Sequence, residues 1–323
     1  MNNFRIYGKF LTKSPLSHIA EAISTISYLV QEPILQADGT TKDVFCYNGN
    51  AWRGQLRDLC AAYLLEKLNM QVSLDAFHLL FSGGKIGGEQ SIDIMQAKTM
   101  RKIVPMISLF GGGIGNQILP GKMKVGNSYV LCSEALPVLS SRYHEHASKI
   151  DYADLTFEKS FTRFDDSKNF DKHEYVALDE QALLEQKPKK KESEVSTQMR
   201  MTSELLVAGA TLVHEIDLMH VSEVELGALV AGLTRFAQVP YIGGQSNKGH
   251  GRVDYICNIV NTTTGDEQPL IAINDDMPRL SDVAQRAKDA YDAHLVSVFD
   301  DFIQQKESEI RKLLGASECG LLC

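Results

Sequence analysis

The sequence predicts an α+β fold, and three observations carry that reading. Apolar and polar side chains alternate in Phe4–Leu11 and again in Arg252–Val260, the period of a strand with one buried face. Helical spacing appears instead in Leu226, Leu229, Val230, Leu233, Phe236 and Ala237, behind the capping-box pattern Ser222-Glu-Val-Glu225. A length of 323 residues with 44% apolar content is enough to bury a substantial core, in one large or two modest domains.

The composition also excludes several classes. A formal net charge of -8 argues against a protein coated with positive charge, but a local basic stripe is all that nucleic-acid binding needs. The six cysteines are scattered, with no C-x-x-C pair and no Cys/His cluster at zinc spacing, so reduced thiols in a cytoplasmic protein are expected. The first residues, Met-Asn-Asn-Phe-Arg-Ile, lack the apolar core of a signal peptide. The longest apolar run, Leu205–Val213, is too short to span a bilayer. No membrane association and no cofactor are expected.

In chain order, Phe4, Ile6, Gly8 and Phe10 form the apolar side of an opening strand whose other side carries Arg5, Tyr7 and Lys9. Leu16, Ile19, Ala20, Ile23, Ile26, Ser27 and Val30 read as a short amphipathic helix, and Pro33–Asp43, with Asp38-Gly39, as a loop or hairpin tip. Asn50-Ala-Trp-Arg-Gly-Gln-Leu-Arg57 opens a helix with Trp52, Leu56, Cys60, Tyr63 and Leu64 on its buried face. With Asn48 or Asn50 as N-cap, free amides would face outward beside Arg53 and Arg57, an arrangement that favours a phosphate.

Glycine-rich stretches follow at Ser82–Ser91 and Phe110–Lys124. The second, after the apolar run Ile103–Leu109, prompts comparison with a dinucleotide fingerprint. Asn116 stands where the third glycine is required and Pro120-Gly121 blocks an immediate helix, so the comparison fails. Val125–Ser133 reads as a strand. Tyr143-His-Glu-His146 offers two histidines without a third ligand nearby, which is a poor metal site. Residues 151–196 are strongly charged and read as an excursion from the core, with Phe161-Thr-Arg-Phe-Asp-Asp166 early in it and Lys187-Pro-Lys-Lys-Lys191 late. Met199–Met219 suggests one or two buried strands, and Ser281–Leu314 a long amphipathic helix.

The richest stretch is Val239–Val253, with Gly243, Gly244, Gly249 and Gly251 and the basic side chains Lys248, His250 and Arg252. Glycines allow amides to point at a phosphate without a Cβ in the way. A Walker loop is excluded, because His250 and Gly251 follow Gly249 where Lys and Ser or Thr would stand, and because the order here is helix, loop, strand.

Three segments together resemble the RAMP-superfamily backbone subunits of CRISPR effector complexes, and most closely the type IV version. They are Gly243–Arg252, the helix Asn50–Arg57, and Leu109-Phe-Gly-Gly-Gly113 with Leu119-Pro-Gly-Lys-Met-Lys124. The resemblance runs from Phe4 to Val260 and implies an RRM-like (ferredoxin-like) palm with inserted finger and thumb segments. It gives a single domain over 1–323, a thumb-like insertion at 151–198 and a C-terminal helix at 281–323.

The implied function is binding of guide RNA (crRNA) in a helical filament of copies, for pairing with a target nucleic acid, DNA favoured and RNA still open. Other effector subunits, with a helicase among them, are the implied partners. The implied RNA contacts are Asn50, Trp52, Arg53, Arg57, Lys122, Lys124, Arg163, Gly243, Gly244, Asn247, Lys248, Gly249, His250 and Gly251. No clean RRM-type pair of stacking aromatics is evident. Related subunits cut target RNA with an early aspartate; Asp38 and Asp43 lie in a comparable region without a matching pattern, so a non-catalytic protein is expected. A metal-dependent endoribonuclease of the same superfamily is the alternative.

Overall fold

The computed structural model describes residues 2–84, 94–114, 117–162, 200–275 and 277–304. The chain opens with β1 (Asn2–Thr12), the short strands β2 (Ile19–Ile23) and β3 (Ile26–Leu29), and the hairpin of β4 (Gln31–Leu35) and β5 (Thr41–Tyr47). Helix α1 (Gly49–Leu68) follows, then a single turn at Leu74–Phe77 running into a π-helical turn at His78–Ser82. Next come α2 (Ile94–Ile103), α3 (Pro105–Phe110), the ribbon of β6 (Gly112–Ile114) and β7 (Gln117–Leu119), then β8 (Met123–Val125) and β9 (Ser128–Val130). The second half contains β10 (Thr156–Thr162), β11 (Arg200–Leu206), β12 (Thr211–Val221), α4 (Glu223–Phe236), β13 (Val253–Asn261), β14 (Glu267–Asn274), β15 (Met277–Leu280) and α5 (Asp282–Gln304).

Nine strands form the main sheet in the order β15-β14-β13-β1-β12-β9-β5-β4, with β8 also paired to β12. Strand β1 lies at its centre, antiparallel to β12 and β13, with Ile6 opposite both Ile216 and Ile259. The two outer strands carry Pro33 and Pro278, which remove ladder donors and blunt the edges against pairing with other chains. The expected alternation holds along β1: Ile6 and Phe10 are fully buried, while Lys9 and Leu11 are exposed on the other face.

Helices α1, α4 and α5 cover the buried face. Trp52 packs edge-on against Phe10 and Phe236, both with ring centroids at 5.1 Å, and lies 5.7 Å from Tyr255. Truncating so enclosed a ring costs about 3–5 kcal/mol. Helices α4 and α5 touch backbone to backbone: a Cβ on Gly227 would lie 1.9 Å from the Ala287 carbonyl oxygen. The capping box at the start of α4 forms as its sequence predicts, Ser222 Oγ accepting from the Glu225 amide and the Glu225 carboxylate from the Ser222 amide.

A four-stranded sheet, β10-β11-β3-β2, stands beside the first. It corrects the helix expected over Leu16–Val30. That stretch is rich in β-branched residues (Ile19, Ile23, Thr25, Ile26, Val30), Ser24 turns at φ 57°, and β3 pairs in parallel with β11, so sheet pairing overrides a helical spacing. The charged segment after 151 also begins inside this sheet, because β10 pairs antiparallel with β11 over its whole length. The apolar run before Gly111 is helix α3, entered at Pro105. Among the described residues no helix is long and apolar enough to cross a membrane.

Candidate nucleic-acid interface

The loop after α4 is a rigid structure, fixed by backbone bonds to the stretch that follows β1. The Gly244 amide donates to the Ser17 carbonyl at 2.7 Å, Gly251 to Pro15 at 2.8 Å, and Ile242 to Gly251 at 2.9 Å. Two glycines are obligatory. At φ +73°, a Cβ on Gly243 would meet the Ser17 oxygen at 2.3 Å, and at φ +87° one on Gly251 would meet the Ile242 oxygen at 2.1 Å. Between them the tip, Asn247, Lys248 and Gly249, is exposed.

Helix α1 supports this loop from beneath. Gln55 Nε2 donates to the Tyr241 carbonyl at 2.7 Å and its Oε1 accepts from the Tyr47 hydroxyl at 3.5 Å. Burial pushes the Tyr47 hydroxyl up to about 12, against the opposing effect of the Gly243 backbone. The two motifs singled out in the sequence are therefore neighbours, joined through Gln55, a residue that carries no charge.

The loop faces β10. Lys248 Nζ sits 4.2 Å from the centre of the Phe161 ring. His250 is 6% exposed, and its Nδ1 is buried without a hydrogen-bond partner. Burial lowers the His250 pKa, and the positive charges of Lys159 and Lys248 act in the same direction. Two amines and a buried imidazole thus lie near one another: Lys248 and His250 from the loop, and Lys159 from the strand. Lys159, Phe157 and Phe161 were not singled out as site residues. The signal available in the sequence was the period-two pattern Phe157-Glu-Lys-Ser-Phe161.

Several expected contacts lie elsewhere. Trp52 is fully buried in the core and presents no surface to RNA. Arg57 is also buried, its guanidinium donating to the carbonyls of Phe110 at 2.9 Å and Gly111 at 2.8 Å. Arg53 donates to the same Phe110 carbonyl. Both arginines satisfy the free carbonyls at the end of α3, which is why neither is directed at a phosphate. Burial, together with the neighbouring Arg53 charge, lowers the Arg57 pKa to about 10.

The start of α1 is likewise occupied. Asn48 is the N-cap, the Gly49 amide donates to Asn127 Oδ1 at 2.9 Å, and a Cβ on Gly49 would lie 2.5 Å from the Val125 oxygen. The expected outward-facing amides are therefore covered, although Asn50 itself is exposed. Lys122 donates to both carboxylate oxygens of Glu225, at 2.6 and 2.8 Å, which ties it to the α4 capping box. Lys124 is exposed on β8 opposite Asp217 of β12. Arg163 lies outside the described residues, as do Gly115, Asn116 and the lysine run Lys187–Lys191.

Among the described residues no group of three or more His, Cys, Asp or Glu comes together to hold a metal ion. Asp38 accepts from the Thr40 amide and hydroxyl at the hairpin tip, and these bonds lower its pKa. His144 Nε2 lies 3.1 Å from the Leu139 carbonyl in a single helical turn that also contains His146.

No family model matches the chain, and no curated protein matches it. Among solved structures it is similar to a chain of a "Type IV-B CRISPR Complex", at 18% identity and a TM-score of 0.55, over 82% of this chain and 94% of that one. The fold described above is thus one that a CRISPR complex subunit also adopts.

Proposed function

We propose that the chain is a guide-RNA-binding backbone subunit of a CRISPR effector complex, in the RAMP superfamily. The observation that carries the reading is the cluster of Lys248, Lys159 and the buried His250 imidazole beside a glycine-rich loop pinned by backbone bonds. Such a site offers positive charge to phosphates without reading base identity. The likeness in fold to a CRISPR complex chain supports it. An RRM-like palm is supported by the succession β1, α1, β8/β9, β12, α4, β13, with β1 between β12 and β13.

Assembly along RNA would be head-to-tail, one face of a subunit meeting a different face of the next, since an isologous contact closes after two copies. Target pairing would use the exposed bases of the guide. Cleavage would belong to a partner, because Asp38 is engaged within its own turn.

The reading is tested by purifying the tagged chain from cells that carry its neighbouring genes and sequencing any bound RNA. A discrete-length RNA is expected, on particles whose mass rises in steps of one subunit. Binding should weaken with salt by roughly 1.4 units of log–log slope for the two lysines, His250 being neutral at pH 7. Purification free of RNA, or affinity indifferent to salt, would refute it. Matched target incubated with the particle in magnesium or manganese should stay intact; cleavage lost in Asp38→Ala or Asp43→Ala would restore the endoribonuclease alternative.

A further inference from the structure

Strand β10 presents a face to the loop that none of the recognised motifs includes. Phe157, Lys159 and Phe161 lie on the same side of the strand, because side chains alternate, and their register partners on β11 are Leu205, Ser203 and Met201. Leu205 and Ser203 are buried, so this face is anchored by its neighbour, whereas Phe157 is 38% exposed and Lys159 projects into solvent. Phe161 is already paired with a cation, the ammonium of Lys248 at 4.2 Å.

The pattern is two flat apolar rings bracketing one amine, with a second amine over one ring and the buried, unpartnered Nδ1 of His250 close to both lysines. Among the described residues neither Lys159 nor Lys248 pairs with a carboxylate. A protein partner would be expected to meet a continuous apolar patch, and an isolated phosphate has no use for rings. Single-stranded nucleic acid needs both components, a π-face for each base and a cation for the backbone between them.

We propose that this face of β10 is a base-stacking platform for single-stranded RNA, Phe157 and Phe161 each receiving one base and Lys159 with Lys248 meeting the phosphates between. The proposal rests on the guide-RNA reading above and adds to it the part of the nucleotide that is held. Four residues of strand separate the rings by about 13 Å, which leaves room for sugar-phosphate at Lys159. The ammonium over Phe161 is the weaker occupant of that ring, so a base displaces it and the freed amine turns to phosphate. Stacking of this kind tolerates any base, as a guide of variable sequence requires.

The test compares the full chain with Phe157→Ala, Phe161→Ala, both Phe→Tyr variants and Lys159→Ala, on a single-stranded RNA and on an abasic strand of equal length. Each Phe→Ala change should weaken RNA binding about 5- to 150-fold with an unaltered salt slope, and each Tyr variant should retain wild-type affinity. Lys159→Ala should lower the slope by about 0.7. Wild type on the abasic strand should bind no better than the double Phe→Ala variant on RNA. Thermal melting of each variant establishes that it is folded, and the Tyr variants report on the rings even if an Ala variant melts early. Wild type that binds intact and abasic strands equally, or Phe→Ala losses that persist on the abasic strand, would overturn the platform while leaving the guide-binding reading standing. A wild type that binds neither strand would remove that reading as well.

Discussion

Replacing Arg57 separates two meanings of a cation on the α1 helix: a contact for RNA and a brace for the fold. In the structure its guanidinium satisfies the Phe110 and Gly111 carbonyls, and Gly83 closes the site from the other side, a Cβ there falling 2.5 Å from Arg57 Nη1. Arg57→Ala would leave the Gly111 carbonyl without a donor, at roughly 1–3 kcal/mol, while Arg53 keeps its bond to the Phe110 carbonyl. Relief from burying a charge offsets part of this, as the pKa lowered to about 10 indicates. The net expectation is a loss of about 2 kcal/mol, or a fall in Tm of roughly 3 °C for a chain of this length. Urea and thermal unfolding measure it, alongside RNA binding at a temperature where both proteins are folded. Arg57→Lys should recover little, because the lysine ammonium ends short of the Nη2 position that donates to both carbonyls. An Arg57→Ala protein of wild-type stability with weaker RNA binding and a flatter salt slope would refute the bracing role and return Arg57 to the groove.

Two further outcomes follow from groups held in the interior. His214 is fully enclosed, stacked on Phe10 at 5.1 Å, and burial lowers its pKa to about 3. The unfolded chain, with an ordinary imidazole, binds a proton that the folded chain refuses, so stability is full above about pH 6.5 and falls as pH drops toward 3, by about 1.4 kcal/mol per unit. Unfolding free energies at pH 7 and pH 5 should differ by on the order of 2 kcal/mol more in wild type than in His214→Phe; equal slopes would disprove the assignment. In the loop, Gly251→Ala should raise susceptibility to proteolysis and abolish RNA binding, whereas Gly249→Ala, at φ +83° with nothing within 4 Å, should cost only about 1–2 kcal/mol of local strain. Equal effects of the two would show that the loop is not held as described.

Much of the fold could be read from local pattern because the pattern and the tertiary environment agree. Ser222 and Glu225 form their cap, Gly39 turns the β4–β5 hairpin at φ +84°, and β1 and β13 bury alternate residues against the same helices. The helix expected at Leu16–Val30 failed because its apolar residues fit either period, and the deciding partner, β11, lies far along the chain. Arg53 and Arg57 show the same limit at the level of function. Their spacing on one helix face is visible in sequence, but the carbonyls that consume them belong to residues more than fifty positions later. Phe157, Lys159 and Phe161 were hidden differently: they open a stretch so charged that it reads as an excursion, although the strand is part of a sheet.

What decides which cations serve a phosphate is competition, more than their number or position in a motif. Lys122 and Lys248 both follow glycine-rich segments and both remain partly accessible, yet Lys122 already has the two oxygens of Glu225 at 2.6 and 2.8 Å. To reach RNA it would have to release a carboxylate that also caps α4, a loss of charge-assisted bonds of about 1.5–3 kcal/mol before any phosphate is gained. Lys248 gives up only a contact with a phenyl ring, worth about 0.5–1 kcal/mol where exposed. The comparison explains how a chain of net charge -8 can keep two amines available to an anion: acidic side chains are spent elsewhere, on Lys122, Arg5 and Lys288, and none is placed against Lys248 or Lys159 among the described residues.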